Sequence, residues 1–359
     1  MPRDKNEPST SPAPPLNLRD IARQAGVSHS TVSRALRNHP ALPRETCQKI
    51  QALAESLGYR TNPLIATLAS QLRMSRTTPY QATLAFVTSY PTRNAWKEGR
   101  PAFLRFYKGA HERARLLGYE LDEFWIKEPG FTMERIRKIL QTRNIRGLLI
   151  SPMPHPLGHL PLDWSQYASA TIGYTMASPH LHSTRNHHYH AITLCLRRLK
   201  YHGHRRIGLA LRPQSYKYAD DLFTARYLYH QYATGQKPLP IFCLGAANGE
   251  FTEKNFIRWF QKNKPDALIC MGEQVHDWCA KMGIDVPGEL SIVDMDIHDF
   301  QKQWSGIDGC EEDVAAAAVD VIVQQLQQND LGIPRSPKTI LVEGRWLAGS
   351  TLAKSPAGS

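Results

Sequence analysis

The chain has 359 residues, 42% of them hydrophobic, which is enough for a small module plus one large or two medium domains with a buried core. Its formal net charge of +12 favours a polyanionic partner, although charge alone does not identify that partner. The cysteines form no C-x-x-C pair and no apolar run is long enough to span a bilayer, which argues against a disulfide framework, a zinc site and a membrane protein. Without an apolar signal core near the N-terminus, we expect a cytoplasmic protein.

Residues 1–16 contain five prolines among serine, threonine and charged residues. A segment of this composition cannot bury enough apolar surface to order itself. We therefore predict a disordered tail.

Residues 17–38, NLRDIARQAGVSHSTVSRALRN, predict two short helices joined by a tight turn. Four apolar residues of the first helix recur at helical spacing: Leu18, Ile21, Ala22 and Ala25. Gly26 follows where a helix ends in a left-handed turn, and Ser28 is suited to cap the second helix. Three apolar residues form the inward face of that helix: Val32, Ala35 and Leu36.

The outward face of the second helix carries hydrogen-bonding groups and a cation but no carboxylate. Its side chains are those of His29, Ser30, Thr31, Ser33, Arg34 and Asn38. A helix that lies in the DNA major groove needs groups of this kind. The alternative is an ordinary helical hairpin with a solvated polar face, on which acidic residues would be expected.

The stretch LRDIARQAGVSHSTVSRALRNHPALPRETCQKIQALAESLGYRTNP closely resembles the N-terminal domain of LacI/GalR (lactose-repressor) family transcription regulators. The match runs without a gap over residues 17–63, and weaker family patterns continue almost to the C-terminus. The resemblance implies a homodimeric, sequence-specific regulator, most simply a repressor, that reads two-fold symmetric (palindromic) operator DNA. A short tail after Leu352 also favours a dimer over a tetramer.

Two roles are expected on the second helix and beside it. His29, Ser30 and Arg34 are predicted to read base edges, and Arg34 can donate two hydrogen bonds to guanine. Phosphate contacts are predicted for Asn17, Ser28, Thr31, Ser33 and Asn38.

A third helix is predicted from about Pro43 to Leu57, with Pro43 in its first turn and Gly58 as its C-terminal cap. Its inward residues are Ile50, Leu53, Ala54 and Leu57, and the three-helix domain spans residues 17–60.

Residues 61–79 are predicted to link the domains. The family has a hinge here that becomes helical on operator DNA and inserts a leucine, matched by Leu68, into the minor groove. This chain departs from the family at Thr61, where proline is usual, and at Ile65-Ala66, where Ala-Arg is usual. The alternative is a flexible linker with incidental leucines.

From residue 80, short apolar runs alternate with helical stretches. The runs that predict strands are TLAFVT (83–88), GLLIS (147–151), SATIGY (169–174), RIGLAL (206–211), ALICM (267–271), SIVDMD (291–296) and TILVE (339–343). The helices between them include Phe103–Leu117, Met133–Thr142, Ala191–Tyr201 and Val314–Gln328. Continuous apolar strands that alternate with helices indicate an α/β fold with parallel sheets covered on both faces.

The family resemblance implies that residues 80–352 form an effector-binding and dimerisation domain of two doubly wound parallel-sheet subdomains, as in a periplasmic sugar-binding protein. The chain is expected to cross between them near residues 175–180, 299–309 and 330–338, and to end in a tail at 353–359.

Ligands of open parallel sheets bind beyond the carboxyl ends of the strands. That rule selects Tyr90, Ser151, Met153, Tyr174, Glu273, Asp296 and His298 as candidate effector contacts. Trp96 and Trp304 could also stack on a ligand, although aromatic residues more often pack in cores. A cleft with aromatic walls and a few polar groups suits a small polar effector, of which a sugar fits best.

Two departures leave the ligand open. Gly272-Glu273 stand where the family commonly has Asn-Asp, and Ala219 stands where it often has an arginine. One alternative is therefore a DNA-binding regulator whose cleft is vestigial.

Histidines cluster in HLHSTRNHHYH (180–190), which fits either a metal site or a solvated, mildly pH-sensitive surface. No cysteine or carboxylate is interleaved with them, so we predict no metal and no cofactor. Catalytic and phosphate-binding signatures such as G-x-S-x-G, H-E-x-x-H and G-x-x-x-x-G-K are absent from the sequence, and we predict a protein that is not an enzyme. The remaining alternative is an enzymatic or metal-binding α/β domain tethered to DNA.

Overall fold

The computed structural model describes residues 18–36, 42–57, 82–99, 101–235, 237–243, 250–298, 301 and 303–353. These residues form two separate units, a small N-terminal one and a larger one. The predicted tail at 1–16, the hinge at 61–79 and the residues Asn17, Asn38, Gly58 and Leu68 lie outside the described residues.

The small unit contains the three predicted helices, α1 (Leu18–Ala25), α2 (His29–Ala35) and α3 (Arg44–Ser56). Their inward apolar residues meet in one core, as the spacing predicts. Gly26 has the expected positive φ of 65°, and the Ser28 hydroxyl caps α2 by accepting a hydrogen bond from the Thr31 amide at 3.1 Å. Pro43 differs from its prediction, because its ψ of 141° places it before α3 as the N-cap residue and not in the first turn.

The first lobe of the larger unit is built on a six-stranded parallel sheet. Its strands are β1 (Ala82–Thr88), β2 (Tyr119–Trp125), β3 (Gly147–Ile150), β5 (Ala168–Ile172), β7 (His182–Asn186) and β12 (Thr339–Val342). They lie in the order β12-β7-β5-β3-β1-β2. Two short strands, β4 (Gly158–His159) and β6 (Met176–Ser178), pair beside this sheet.

The second lobe has a five-stranded sheet. Its strands are β8 (Ile207–Ala210), β9 (Ala267–Cys270), β10 (Ser291–Asp294), β11 (Ser305–Asp308) and β13 (Arg345–Leu347), in the order β13-β11-β10-β9-β8. Only β13 among these strands runs antiparallel, against β11. Two apolar clusters cover the two faces of this sheet, as expected for buried parallel strands.

Helices connect and cover the strands. They are α4 (Ala95–Gly99), α5 (Pro101–Leu116), α6 (Met133–Thr142), α7 (His188–Tyr201), α8 (Pro213–Tyr218), α9 (Leu222–Thr234), α10 (Glu253–Asn263), α11 (Glu273–Lys281) and α12 (Glu311–Gln328). All seven predicted strands and the four predicted helices are present, with ends that differ by at most three residues from the prediction.

The crossings between the lobes differ from two of the three predictions. The first joins β7 to α7 at residue 187, and the third joins β12 to β13 at residues 343–344, because β7 and β12 both still pair in the first sheet. The predicted crossings at 175–180 and 330–338 are therefore wrong. The second lies at residues 309–310, after β11 and at the end of the predicted range 299–309.

None of the helices within the described ranges has the length and apolar character needed to span a lipid bilayer.

Candidate DNA interface and ligand cleft

The outward face of α2 is exposed, as the sequence predicts. Ser28, His29, Ser30 and Arg34 are exposed and Thr31 is half-buried, whereas Val32 and Ala35 are completely buried on the opposite face. The side chain of Ser33 is not described. This face thus presents an imidazole and hydroxyls at the start of α2 and a guanidinium in its last turn, without a carboxylate.

The hydroxyls at the start of α2 already interact with one another. Ser28 Oγ lies 2.7 Å from Ser30 Oγ and 2.8 Å from Thr31 Oγ1 while it caps the helix. These hydroxyls are therefore fixed in position, and each can still exchange a hydrogen bond with a phosphate oxygen.

A cavity of about 100 Å³ lies between the lobes, at the carboxyl ends of strands from both sheets. The first lobe supplies Phe103 and Phe106 of α5 and Tyr174, and the second supplies Met271 and Met295. Each crossing also contributes to the lining. The first contributes His187, next to the lining residue Asn186 at the end of β7, the second contributes Gly309 and the third contributes Gly344. The cleft is thus lined by both lobes and by the segments that connect them.

Two carboxylates, Asp296 and Glu311, face this cavity. Burial and then the charge of Asp296 raise the pKa of Glu311 to about 7, against the opposing effect of Arg105. An Arg105 guanidinium nitrogen lies 2.6 Å from Glu311 Oε2, and Asn186 Nδ2 donates to Glu311 Oε1 at 3.4 Å. Among the described residues that line the cavity none is a lysine or arginine, so its polar lining is acidic and neutral.

His188 lines the cavity and packs against two aromatic rings. Its ring stacks on Tyr174 at 5.2 Å and meets Phe223 at 4.7 Å between centroids. Burial lowers the pKa of His188 to about 4, so the imidazole is neutral near pH 7.

Of the predicted effector residues, Tyr174 and Asp296 line the cavity, and the others do not. Tyr90 is buried with its ring 6.1 Å from that of the lining residue Phe103, and Ser151 is buried with its hydroxyl donating to the carbonyl of the lining residue Pro152 at 3.4 Å. The predicted Met153 is buried as well, where its sulfur accepts a hydrogen bond from Ser89 at 3.3 Å.

Glu273 and His298 do not line the cavity. Glu273 is exposed and accepts a hydrogen bond from Gln301 at 3.4 Å. His298 is buried with its Nε2 3.5 Å from Asp296 Oδ1. Burial lowers the pKa of His298, but the hydrogen bond and charge of Asp296 outweigh that effect and raise it overall. His298 is therefore linked to the cleft by its contact with the lining residue Asp296.

The two tryptophans considered as stacking residues have other contacts. Trp96 is buried among Phe86 and Tyr107 and donates its Nε1 hydrogen to Glu123 at 3.1 Å. Trp304 stacks on His276. Both therefore pack against protein groups.

The histidine-rich segment 180–190 contains β7 and the start of α7, and it is solvated only in part, because His180 is exposed whereas His182 is buried. His182 accepts from the Lys338 amide at 2.9 Å, and His187 accepts from the His190 amide at 3.3 Å. In the part of the chain that the structure describes, these histidines do not bring three metal-ligand atoms together.

Two family profiles match the chain. Residues 17–62 match bacterial regulatory proteins of the lacI family, and residues 196–351 match a periplasmic binding protein-like domain. Among curated relatives, the probable HTH-type transcriptional repressor ExuR of Bacillus subtilis is 48% identical over 56 residues, which are 16% of this chain and 17% of ExuR. The chain thus aligns with less than a fifth of the length of that relative.

Solved structures extend the similarity over both units. The Lac repressor dimer bound to operator and the anti-inducer ONPF is 19% identical and covers 95% of this chain and 100% of its own, with a TM-score of 0.53. A LacI family regulator from Weissella paramesenteroides with bound glucose is 13% identical and covers 75% of this chain and 98% of its own, with a TM-score of 0.54. At these identities the likeness shows the fold. With its lacI-type helix-turn-helix and its periplasmic binding protein-like domain, the chain belongs to the LacI/GalR family of bacterial transcription regulators.

Proposed function

We propose that this protein is a dimeric, sequence-specific repressor whose affinity for operator DNA is set by a small polar ligand in the interlobe cleft. The observation that carries the DNA-binding part is the exposed face of α2, where His29, Ser30 and Arg34 stand free of the core and of any carboxylate on that helix. The net charge of +12 adds non-specific attraction to phosphate. The operator-bound Lac repressor dimer, which this chain resembles in fold, supports a two-fold symmetric assembly on DNA.

The predicted roles on α2 stand as part of this proposal. Arg34 reads a guanine, His29 and Ser30 contact neighbouring base edges, and Ser28, Thr31 and Ser33 hold phosphates. Asn17, Asn38 and the minor-groove residue Leu68 complete the expected contacts from outside the described residues.

The charged groups that line the cleft limit the chemical class of ligand that it can bind. Because Asp296 and Glu311 line the cavity without a lysine or arginine in its described lining, a neutral, hydroxyl-rich molecule fits better than a carboxylate or phosphate. Tyr174 and His188 offer aromatic surface to a sugar ring, and Asp296 and Asn186 offer hydrogen bonds. A cavity of about 100 Å³ is smaller than the roughly 150 Å³ that encloses benzene in an engineered core. A sugar therefore requires some opening of the lobes.

The DNA-binding part is tested by selecting sequences from a random duplex pool with the purified full-length protein. We expect enrichment of a two-fold symmetric site. Arg34→Ala should weaken binding to that site by about 1–3 kcal/mol and relax the preference at one base pair of each half-site. Arg23→Ala, which removes the same charge from α1, should weaken selected and random DNA alike. Absence of any enriched sequence would refute the proposal.

The ligand part is tested by thermal shift and operator binding with neutral sugars and with uronates of the same ring size. We expect stabilisation by a neutral sugar, and its loss in Asp296→Asn without loss of operator binding. Stabilisation by a uronate alone would show that the charge argument is wrong. If no compound acts, the cleft is vestigial and the DNA-binding proposal stands on its own test.

A further inference from the structure

A thiol, an imidazole and a carboxylate meet at the carboxyl end of the second sheet. Cys270 ends β9 and Asp294 ends β10; the two residues are register partners and both are completely buried. His276 lies in α11, the helix that follows β9, and its side chain is 10% exposed. Their three potential ligand atoms all lie within 4.8 Å of one another.

This cluster is separate from the ligand cleft. Met271 and Met295, the next residues along the chain, line the cleft, whereas Cys270 packs with Trp278 and Cys279 in the apolar cluster on the other face of the sheet. The inference below therefore does not rest on the proposed effector.

The distances suit a tetrahedral metal site. Asp294 Oδ2 lies 3.5 Å from Cys270 Sγ and 3.7 Å from His276 Nε2. Zinc bond lengths of about 2.0–2.3 Å place tetrahedral ligand atoms about 3.3–3.8 Å apart. The sulfur–oxygen separation matches the roughly 3.5 Å of such a pair. The nitrogen–oxygen separation exceeds the roughly 3.3–3.5 Å of its pair by about 0.2–0.4 Å, and the sulfur–nitrogen separation, at most 4.8 Å, needs a shift of at most about 1.2 Å.

The imidazole nitrogen that faces the other two groups needs a partner. Within the described part of the chain, His276 Nε2 is buried and makes no hydrogen bond. Buried polar nitrogens are normally satisfied, so this atom is an exception that calls for an explanation. A metal ion between Nε2, the thiol sulfur and the carboxylate would satisfy it.

The surrounding groups hold the cluster in place. The Gly272 amide donates to Asp294 Oδ2 at 2.8 Å and the Asp296 amide donates to Oδ1 at 2.9 Å, which fixes the carboxylate. Trp304 stacks on the His276 ring with 3.6 Å between centroids and 7° between planes, which fixes the imidazole. Contacts that orient the ligands in this way are typical of metal sites.

We propose that Cys270, His276 and Asp294 bind a Zn²⁺ ion, with water as the fourth ligand. The cysteine thiol loses its proton to solvent and the thiolate forms the Zn–S bond, so no oxidant or reductant is required. One thiolate and one carboxylate balance the two charges of the ion, which leaves a buried site without net charge. The mixed sulfur, nitrogen and oxygen ligands favour Zn²⁺ over Mg²⁺ or Ca²⁺. The ion joins α11 to β9 and β10 and stabilises the second lobe.

The test uses the metal-free full-length protein and Co²⁺ as a spectroscopic substitute for Zn²⁺. We expect one equivalent of Co²⁺ to give a thiolate-to-metal charge-transfer band and the visible bands of four-coordinate cobalt. Equimolar Zn²⁺ should abolish both. Zn²⁺ alone should also raise the thermal midpoint of the larger unit.

Three variants locate the site. Cys270→Ala should abolish the charge-transfer band, and His276→Gln should weaken binding at least about tenfold. Cys279→Ala removes another buried thiol from the same apolar cluster and should bind Co²⁺ as the wild type does. His276→Gln conserves size and polarity at a helix position, and circular dichroism verifies that it is folded. The proposal is overturned if the folded wild type binds neither ion, if Cys270→Ala keeps the band, or if His276→Gln binds unchanged.

Discussion

Replacing Arg105 by glutamine should destabilise the larger unit more than an ordinary surface substitution would. The guanidinium, on α5, lies 2.7 Å from Asp308 Oδ1, 2.6 Å from Glu311 Oε2 and 2.7 Å from Glu312 Oε2. The side chains of Arg105 and Glu311 are only 21% and 5% exposed. Removal of one partner from a buried ion pair costs about 3–5 kcal/mol because the other charge stays buried. Since the side chains of Asp308 and Glu312 are partly exposed to solvent, we expect the free energy of unfolding to fall by about 3 kcal/mol, at the lower end of that range.

The loss of stability in Arg105→Gln should depend on pH, and the protonation of Glu311 determines the direction of that dependence. Burial raises its folded-state pKa to about 7, so Glu311 binds more proton in the folded state than in the unfolded state between about pH 4.5 and 7, and its contribution to stability falls as the pH rises through that window. Arg105 opposes this shift, and its loss raises the pKa of Glu311 further. The deficit of Arg105→Gln should therefore be larger at pH 8 than at pH 6, where Glu311 is protonated in the variant.

Urea unfolding followed by tryptophan fluorescence measures this effect in the larger unit alone, because all seven tryptophans lie between residues 96 and 346. Arg113→Gln is the matched control on the same helix. Its partner Asp320 lies at 2.7 Å, but the two side chains are 37% and 46% exposed, so we expect a loss below about 1 kcal/mol that is equal at both pH values. Equal losses in the two variants, or a deficit of Arg105→Gln that does not change with pH, would refute the reasoning.

Three further substitutions test a buried hydrogen bond, a pH dependence and a helix cap. Tyr227→Phe should cost about 1–2 kcal/mol, because the buried hydroxyl donates to the Ile207 carbonyl at 2.7 Å; Tyr229→Phe, 62% exposed on the same helix, should be neutral in the same urea assay. Burial lowers the pKa of His188 to about 4, so protonation of this group should take up to about 3 kcal/mol from the free energy of unfolding between pH 6.5 and 4, and His188→Phe should gain by that amount relative to the wild type as the pH falls; parallel pH slopes of the two proteins would contradict it. Ser28→Ala should speed amide exchange across α2 through the loss of a cap worth about 1 kcal/mol, and unchanged exchange would contradict the capping role.

The fold was predictable wherever the chain shows strong periodicity. Buried strands such as β3 and β9 are continuous apolar runs, and the three N-terminal helices have regular apolar faces. The edge strand β2 escaped prediction because YELDEFW is mostly half-buried and carries a charged residue at three of its seven positions. β7 escaped because HSTRN is polar, although His182, Ser183 and Thr184 are buried. The missed β7 also explains the misplaced first crossing.

The cleft was predictable only in part, for a related reason. Asp296 and Tyr174 follow recognised strands, so the strand-end rule found them. Asn186 obeys the same rule, but its strand was not recognised. Glu311 escaped because it begins a helix, and nothing in its local sequence shows that Arg105, some 200 residues earlier, lies beside it.

The candidate zinc ligands lay beyond sequence reasoning as well. Cys270 and His276 are six residues apart and Asp294 is 18 residues further along, so no short motif contains them. Only the parallel pairing of β9 with β10 and the return of α11 bring them together. The expectation of no zinc site considered C-x-x-C pairs and the histidine cluster at 180–190, and the proposed site has one cysteine and a histidine outside that cluster.

The placement of the cleft explains how a ligand there can act on the relation between the lobes. His187, Gly309 and Gly344 belong to the three crossings, and all three line the cavity. Asp308, just before the second crossing, bonds both Arg105 of the first lobe and Arg345 of the second, at 2.7 and 3.4 Å. A ligand can shift an equilibrium only through contacts that differ between the two states. A molecule that contacts the hinge segments themselves meets that condition, because opening of the lobes must change the backbone at those positions.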